Sequence, residues 1–173
     1  MTTPLASSTF SPVLADHFGG ASLRRDALAV LAGAGLVGIL AQVAIPMWPV
    51  PITGQTLCVL LVGAVLGARR GALSLLSYLV LGLAGVPWFS SASGGLAALA
   101  KPSFGFIIGF IPAAWLIGKL SERAWDRHLW LSLAAFGGAT LVPFLVGIPY
   151  MWLVIRMGGV SMSFAQTMNA GFT

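Results

Sequence analysis

From the amino end, long apolar runs alternate with short loops rich in proline, glycine, serine or basic residues. Residues 1–22 are rich in Thr, Ser, Ala and Pro and lack such a run, which predicts a poorly ordered tail ahead of a single helical domain over 23–173. Behind Arg24 and Arg25, the stretch Ala27 to Ile45 is long enough to span a bilayer. It lacks a small-x-small cleavage pattern at Gln42-Val-Ala44, so it reads as a first transmembrane helix and not as a signal peptide. Pro46, Pro49 and Pro51 break that helix, and the exposed non-helical backbone they create must sit in water, at the interface or over a cavity.

The next two runs are short. A second helix is expected from Gln55 to Ala68 with Thr53 as its cap, and a third from Gly71 to Gly85, the two separated by Arg69-Arg70-Gly71. Fourteen or so residues make a helix of about 21 Å against a hydrocarbon core of roughly 30 Å, so the membrane must thin or the helix ends must surround a wet cavity. In the third helix Ser74, Tyr78, Gly82 and Gly85 fall near one face at three- and four-residue spacing, a small and polar face that should point inward. Trp88 to Lys101 is a Ser/Gly-rich connection holding Gly94 and Gly95. Ser103 to Leu120 is a fourth span with Gly105 and Gly109 four apart and a kink at Pro112. After a charged turn, Leu129 to Ile155 forms a fifth, longer than one straight crossing and expected to unwind near Gly147.

Composition agrees with this pattern. Apolar residues are 58% of the 173 and charged ones 8%, where a soluble domain carries roughly a quarter charged. The fold class is therefore all-α, a polytopic transmembrane helix bundle of five spans in a lipid bilayer. The net charge of +5 comes from dispersed single or paired basic residues, which argues against a nucleic-acid partner. If the spans alternate, Arg24, Arg25, Arg69, Arg70, Lys119, Arg123 and Arg127 share one side and only Lys101 and Arg156 the other. The positive-inside bias makes the first side, with the N-terminus, cytoplasmic. Cys58 is the sole cysteine and lies in an apolar run, so it reads as a packed small hydrophobe with no disulfide, metal or redox role. No His, Asp or Glu pair lies within the spans, which speaks against an intramembrane enzyme. Gly118-Lys119 is followed by Leu120 and position 113 is Ala, so no phosphate-binding loop is formed.

Five motifs, in order, resemble the BioY family, the biotin-binding membrane subunit (S component) of energy-coupling-factor (ECF) vitamin transporters. They are Val50-Pro-Ile-Thr-Gly-Gln-Thr-Leu57, Leu66-Gly-Ala-Arg-Arg-Gly71, Tyr78-Leu-Val-Leu-Gly-Leu-Ala-Gly-Val-Pro87, Gly94-Gly95 and Pro102-Ser-Phe-Gly-Phe-Ile-Ile-Gly109. The resemblance implies a plasma-membrane transporter subunit that binds biotin outside and delivers it inward, with a transmembrane coupling subunit and two ATPase subunits as partners. No cofactor of its own is implied, since ATP is used by the partners. It also implies that a small-residue face on the first helix meets the coupling subunit; here Ala29, Gly33, Ala34 and Gly38 would form it, the alternative being ordinary packing within the bundle. In the family a sixth helix carries an Asp and a Lys after a Pro-Gly-Asp pattern. The sequence stops at Met168-Asn-Ala-Gly-Phe-Thr173 where that segment would follow, so the sixth helix is expected to be missing, either from a truncated product or because it is supplied or dispensed with in another way.

For biotin, with a carboxylate tail, a ureido ring and an apolar bicycle, the candidate walls are Trp48, Tyr78, Trp88, Phe89 and Phe104. Thr53, Gln55, Lys101 and Ser103 are polar candidates, and Gly94 and Gly95 allow close approach. Helices two and four both start at this mouth and aim positive dipole ends at it. Two other functions remain open at this point: an S component for another vitamin such as thiamine or riboflavin, and a membrane scaffold that binds no vitamin.

Overall fold

The computed structural model describes residue 13 and residues 23–45, 50–123, 129–159, 163 and 166–169. Among the described residues the long α-helices are α1 (Leu23–Leu40), α2 (Gln55–Leu83), α3 (Phe104–Ser121) and α4 (Leu129–Met157). Two-residue strands β1 (Ala44–Ile45) and β2 (Ile52–Thr53) pair antiparallel between α1 and α2, and a 3-10 turn, Leu96–Ala100, precedes α3. By length and composition α2, α3 and α4 are each apolar enough to cross a membrane.

The α2 run of 29 residues is two helices folded back on each other. Gly67 adopts φ 82° and ψ 175°, far outside the helical region. Gln55 and Tyr78 lie 23 positions apart yet share a 2.8 Å hydrogen bond, whereas a straight helix would separate them by about 35 Å. A Cβ on Gly71 would stand 2.9 Å from the Cα of Gly63, which closes the two arms near the bend. The sequence reading of two short helices therefore stands, with the break at Gly67, ahead of Arg69. The arms, residues 55–66 and 68–83, are about 18 and 24 Å long.

The bend is fixed from α3. The Ala68 amide, the first of the second arm, donates to Glu122 Oε1 at 2.9 Å, so a carboxylate from the end of α3 occupies a helix start. Gly118 lies so close that a Cβ there would collide with the backbone of Gly67 and Ala68. On the other flank Arg70 pairs with Asp26 of α1 at 3.0 Å. Val13, the one described residue of the tail, is buried beside Gly67. One end of the bundle thus gathers the start of α1, the α2 bend and the end of α3, with Arg24, Arg25, Arg69, Arg70, Lys119 and Arg123 on these elements.

Several sequence expectations change in detail. The first helix stops at Leu40, and Ala44–Ile45 pairs with β2 where a continuing helix was expected. Gly54, not Thr53, sits at the start of α2, and no side chain caps it. The last helix runs unbroken through Gly147 to Met157; a Cβ on Gly147 would stand 2.5 Å from the Phe106 ring, so this glycine permits close packing and not unwinding. The Trp88 to Lys101 connection holds an antiparallel bridge between Phe89 and Ser93 and the 3-10 turn.

The principal core lies where α1, both α2 arms and α3 meet, and it includes Cys58 among Val37, Val59, Val62, Leu75 and Tyr78. The outer face of α4 is open: Trp130 and Leu145 are 80% and 73% exposed. Such surface suits lipid, which is as apolar as leucine.

Candidate functional site

At the end opposite the α2 bend, α1 finishes, the first α2 arm begins, the second arm ends and α3 begins. A chain of aromatic rings crosses this end. Tyr78 lies 5.3 Å from both Trp88 and Phe89, Phe89 is 6.3 Å from Phe104, and Phe104 is 5.9 Å from Tyr150 of α4. All four contacts are edge-on or tilted, and ring quadrupoles disfavour the face-to-face sandwich. Gly82 makes room for them, because a Cβ there would run into the Phe89 ring.

A polar thread runs along the rings. Thr53 Oγ1 donates to Gln55 Oε1 at 3.0 Å, Gln55 Nε2 donates to the Tyr78 hydroxyl at 2.8 Å, and that hydroxyl donates to the Trp88 carbonyl at 3.3 Å. The Trp88 indole N–H returns to the Tyr78 carbonyl at 2.9 Å. Each buried polar group on this path has a partner, as burial in an apolar setting requires. The path links the β2 lip, both α2 arms and the following loop.

Of the candidate residues, Thr53, Gln55, Tyr78, Trp88, Phe89 and Phe104 come together in this assembly. Gly94 packs under the loop, 2.5 Å separating its would-be Cβ from the Val86 carbonyl, and the Gly95 amide donates to the Gly82 carbonyl at 2.7 Å. Lys101 is exposed and partly buried Ser103 is the N-cap position of α3, where no side-chain cap bond forms. Both helix starts at this end, Gly54 and Ser103, therefore lack a side-chain cap. Trp48 lies outside the described residues.

The small-residue stripe of α1 turns inward. A Cβ on Gly33 would stand 2.6 Å from Ser74 Oγ, one on Gly38 would stand 3.1 Å from the Trp88 ring, and Ala34 is fully buried. Ala29 is half-buried. Within the bundle, α2 and Trp88 occupy the space that Gly33 and Gly38 leave.

Two residues of the assembly were not singled out in the sequence. Tyr150 donates its hydroxyl to the Leu99 carbonyl at 2.6 Å and closes the ring chain from α4. Gln42, just beyond α1, binds the carbonyls of Trp88 and Phe89 and the amide of Ala92. The available signal was its chemistry, a lone amide closing an apolar run ahead of a proline loop.

The family model described as "BioY family" matches residues 11–173. A protein named biotin transporter BioY from Rhizobium etli is 40% identical over 129 residues, covering 70% of this chain and 69% of its own length. One of that name from Rhodobacter capsulatus is 43% identical over 120 residues, 66% of this chain and 62% of its own length. A probable biotin transporter BioY from Pyrococcus horikoshii is 41% identical over 123 residues, 71% of this chain and 70% of its own length. The fold is similar to a crystal structure of the S-component for biotin from an ECF-type ABC transporter, with a TM-score of 0.64 and 20% identity, over 88% of this chain and 84% of that one.

Proposed function

The chain belongs to the BioY family, and from that premise we propose that it is the membrane subunit of a biotin transporter, capturing biotin at the aromatic end of the bundle. The observation that carries this reading is the joined ring chain from Trp88 to Tyr150 with its polar thread, set where two helices start without side-chain caps. Rings offer an apolar wall to the bicycle, amide and hydroxyl groups suit the ureido ring, and the two positive helix ends favour a carboxylate. Lys101 and Ser103, beside the α3 start, are the side chains placed to assist that end.

The aromatic end faces outward in this reading and the basic end faces the cytoplasm, because Arg24, Arg25, Arg69, Arg70, Lys119 and Arg123 sit on the elements gathered there. The subunit only binds and releases. Energy for delivery comes from a coupling subunit and two ATPase subunits, which act on this chain from the cytoplasmic side.

Titration calorimetry of the purified chain in lipid nanodiscs tests the substrate. Biotin should bind with one-to-one stoichiometry, and thiamine and riboflavin should give no heat. Heat from thiamine or riboflavin with none from biotin would move the chain to another vitamin. No heat from any of the three would leave the scaffold reading.

A further inference from the structure

Gln42 is the only amide at the end of α1, and its side chain is spent almost wholly on a distant loop. Nε2 donates to the carbonyls of Gly38 and Trp88, each at 3.0 Å, and of Phe89 at 3.2 Å, while Oε1 accepts from the Ala92 amide at 2.9 Å. Both amide protons are therefore engaged, one of them shared. The loop it holds is a tight one: Phe89 and Ser93 exchange backbone hydrogen bonds at 2.9 and 3.2 Å, and Ser93 Oγ donates to the Ser90 carbonyl at 2.8 Å.

Within that loop Ser91 and Ala92 have φ of 62° and 50°, a left-handed backbone on two successive residues that are not glycine. L-residues avoid this region because Cβ crowds the carbonyl oxygen, so such a pair persists only where surrounding contacts over-determine it. The bond from Ala92 ties the strained pair to Gln42, which is itself bonded back to the Gly38 carbonyl of α1. The same loop supplies Trp88 and Phe89, the first two rings of the mouth.

We propose that Gln42 is a positioning residue, a clip that holds loop 88–93 in its strained, closed form against the mouth and so sets how long a ligand stays bound. The ligand part rests on the reading of this mouth as the biotin site. Release of the clip frees the left-handed pair to relax, and the Trp88 and Phe89 wall swings with it. Entry and exit then share this loop as their door.

The test uses the intact chain in nanodiscs, with Gln42→Met, which keeps size and loses every hydrogen bond, and Gln42→Glu, which keeps only the acceptor at neutral pH. Amide exchange of residues 89–93, read without ligand, should rise at least tenfold in Gln42→Met, while amides of 104–121 stay as in the parent. Stopped-flow release of biotin should speed up at least fivefold with association unchanged or faster, a split that general destabilisation does not produce. Gln42→Glu keeps the Ala92 bond but sets a carboxylate against the Gly38, Trp88 and Phe89 carbonyls, so at pH 7.5 its loop should exchange faster than the parent's and, compared with the parent at the same pH, return toward it as the carboxyl, of ordinary pKa about 4.3, protonates and again donates one bond. Should Gln42→Met fail to fold, that pH profile decides alone. Unchanged exchange in the loop, or a Gln42→Glu loop indifferent to pH, overturns the clip. Looser loop amides in a chain whose parent binds no biotin uphold the clip and bring down the biotin reading instead.

Discussion

Tyr78 is fully buried and still carries a hydroxyl, which is tolerable only because Gln55 donates to it and the Trp88 carbonyl accepts from it. Tyr78→Phe keeps the ring and leaves Gln55 short of a partner, so it should cost about 1–3 kcal/mol of stability, read as a lower midpoint of thermal unfolding in detergent. Gly82→Ala tests the rings by sterics alone. Its methyl group falls on the Phe89 ring, so biotin affinity should drop at least tenfold in calorimetry while membrane insertion persists; unaltered affinity would detach Phe89 from the site. At this scale the sequence exposes residues that stand out from an apolar background, and Tyr78, Trp88, Phe89 and Phe104 were legible for that reason. Tyr150 was not, because its partner carbonyl at Leu99 lies 51 positions away and only packing of α4 on α3 brings the two together. Gln42 was obscured in the same way, its loop partners being 46 to 50 positions distant.

The α2 hairpin is the element on which the mouth depends, since its two arms present Gln55 and Tyr78 to each other. Its bend rests on Gly67 with φ 82° and on the Glu122 carboxylate at the Ala68 amide. A Cβ at Gly67 strains this glycine-only backbone by about 1–3 kcal/mol, and it would also stand 3.0 Å from Glu122 Oε1. Gly67→Ala should therefore lower the thermal midpoint in detergent. Glu122→Ala should cost about 0.5–2 kcal/mol, as lost helix caps do, whereas Glu122→Gln, which still offers an oxygen, should recover most of it. If Glu122→Ala unfolds at the parent temperature, the cap carries no weight. Two short helices were legible from the apolar runs, but the break falls at Gly67 and the expected breaker Arg69-Arg70-Gly71 lies within the second arm. The cap was not, because the residue that supplies it is 54 positions away. Expected unwinding at Gly147 failed for a related reason: the glycine faces Phe106 of α3, a contact that no local pattern displays.

For the whole molecule, opposite ends carry opposite tasks. The basic end binds the bend together through Asp26 with Arg70 and Glu122 with Lys119, at 3.0 and 3.6 Å, and the aromatic end collects the rings and the two uncapped helix starts. Together those starts should favour an acid over its neutral amide by about 1–2 kcal/mol, or roughly fivefold to thirtyfold in affinity. Calorimetry with biotin and with its amide measures this, and repeating it on Lys101→Ala separates the side chain from the helix ends. Equal binding of acid and amide would mean that the charge is not read at this mouth.

The central claim is that biotin sits among these rings. A photoreactive biotin, activated on the nanodisc-embedded chain and mapped by peptide mass spectrometry, addresses it directly. Attachment should fall on the segments around Tyr78, Trp88, Phe89, Phe104 and Tyr150, and excess free biotin should abolish it. Attachment that resists competition, or that maps to the α2 bend or the open face of α4, would contradict the account.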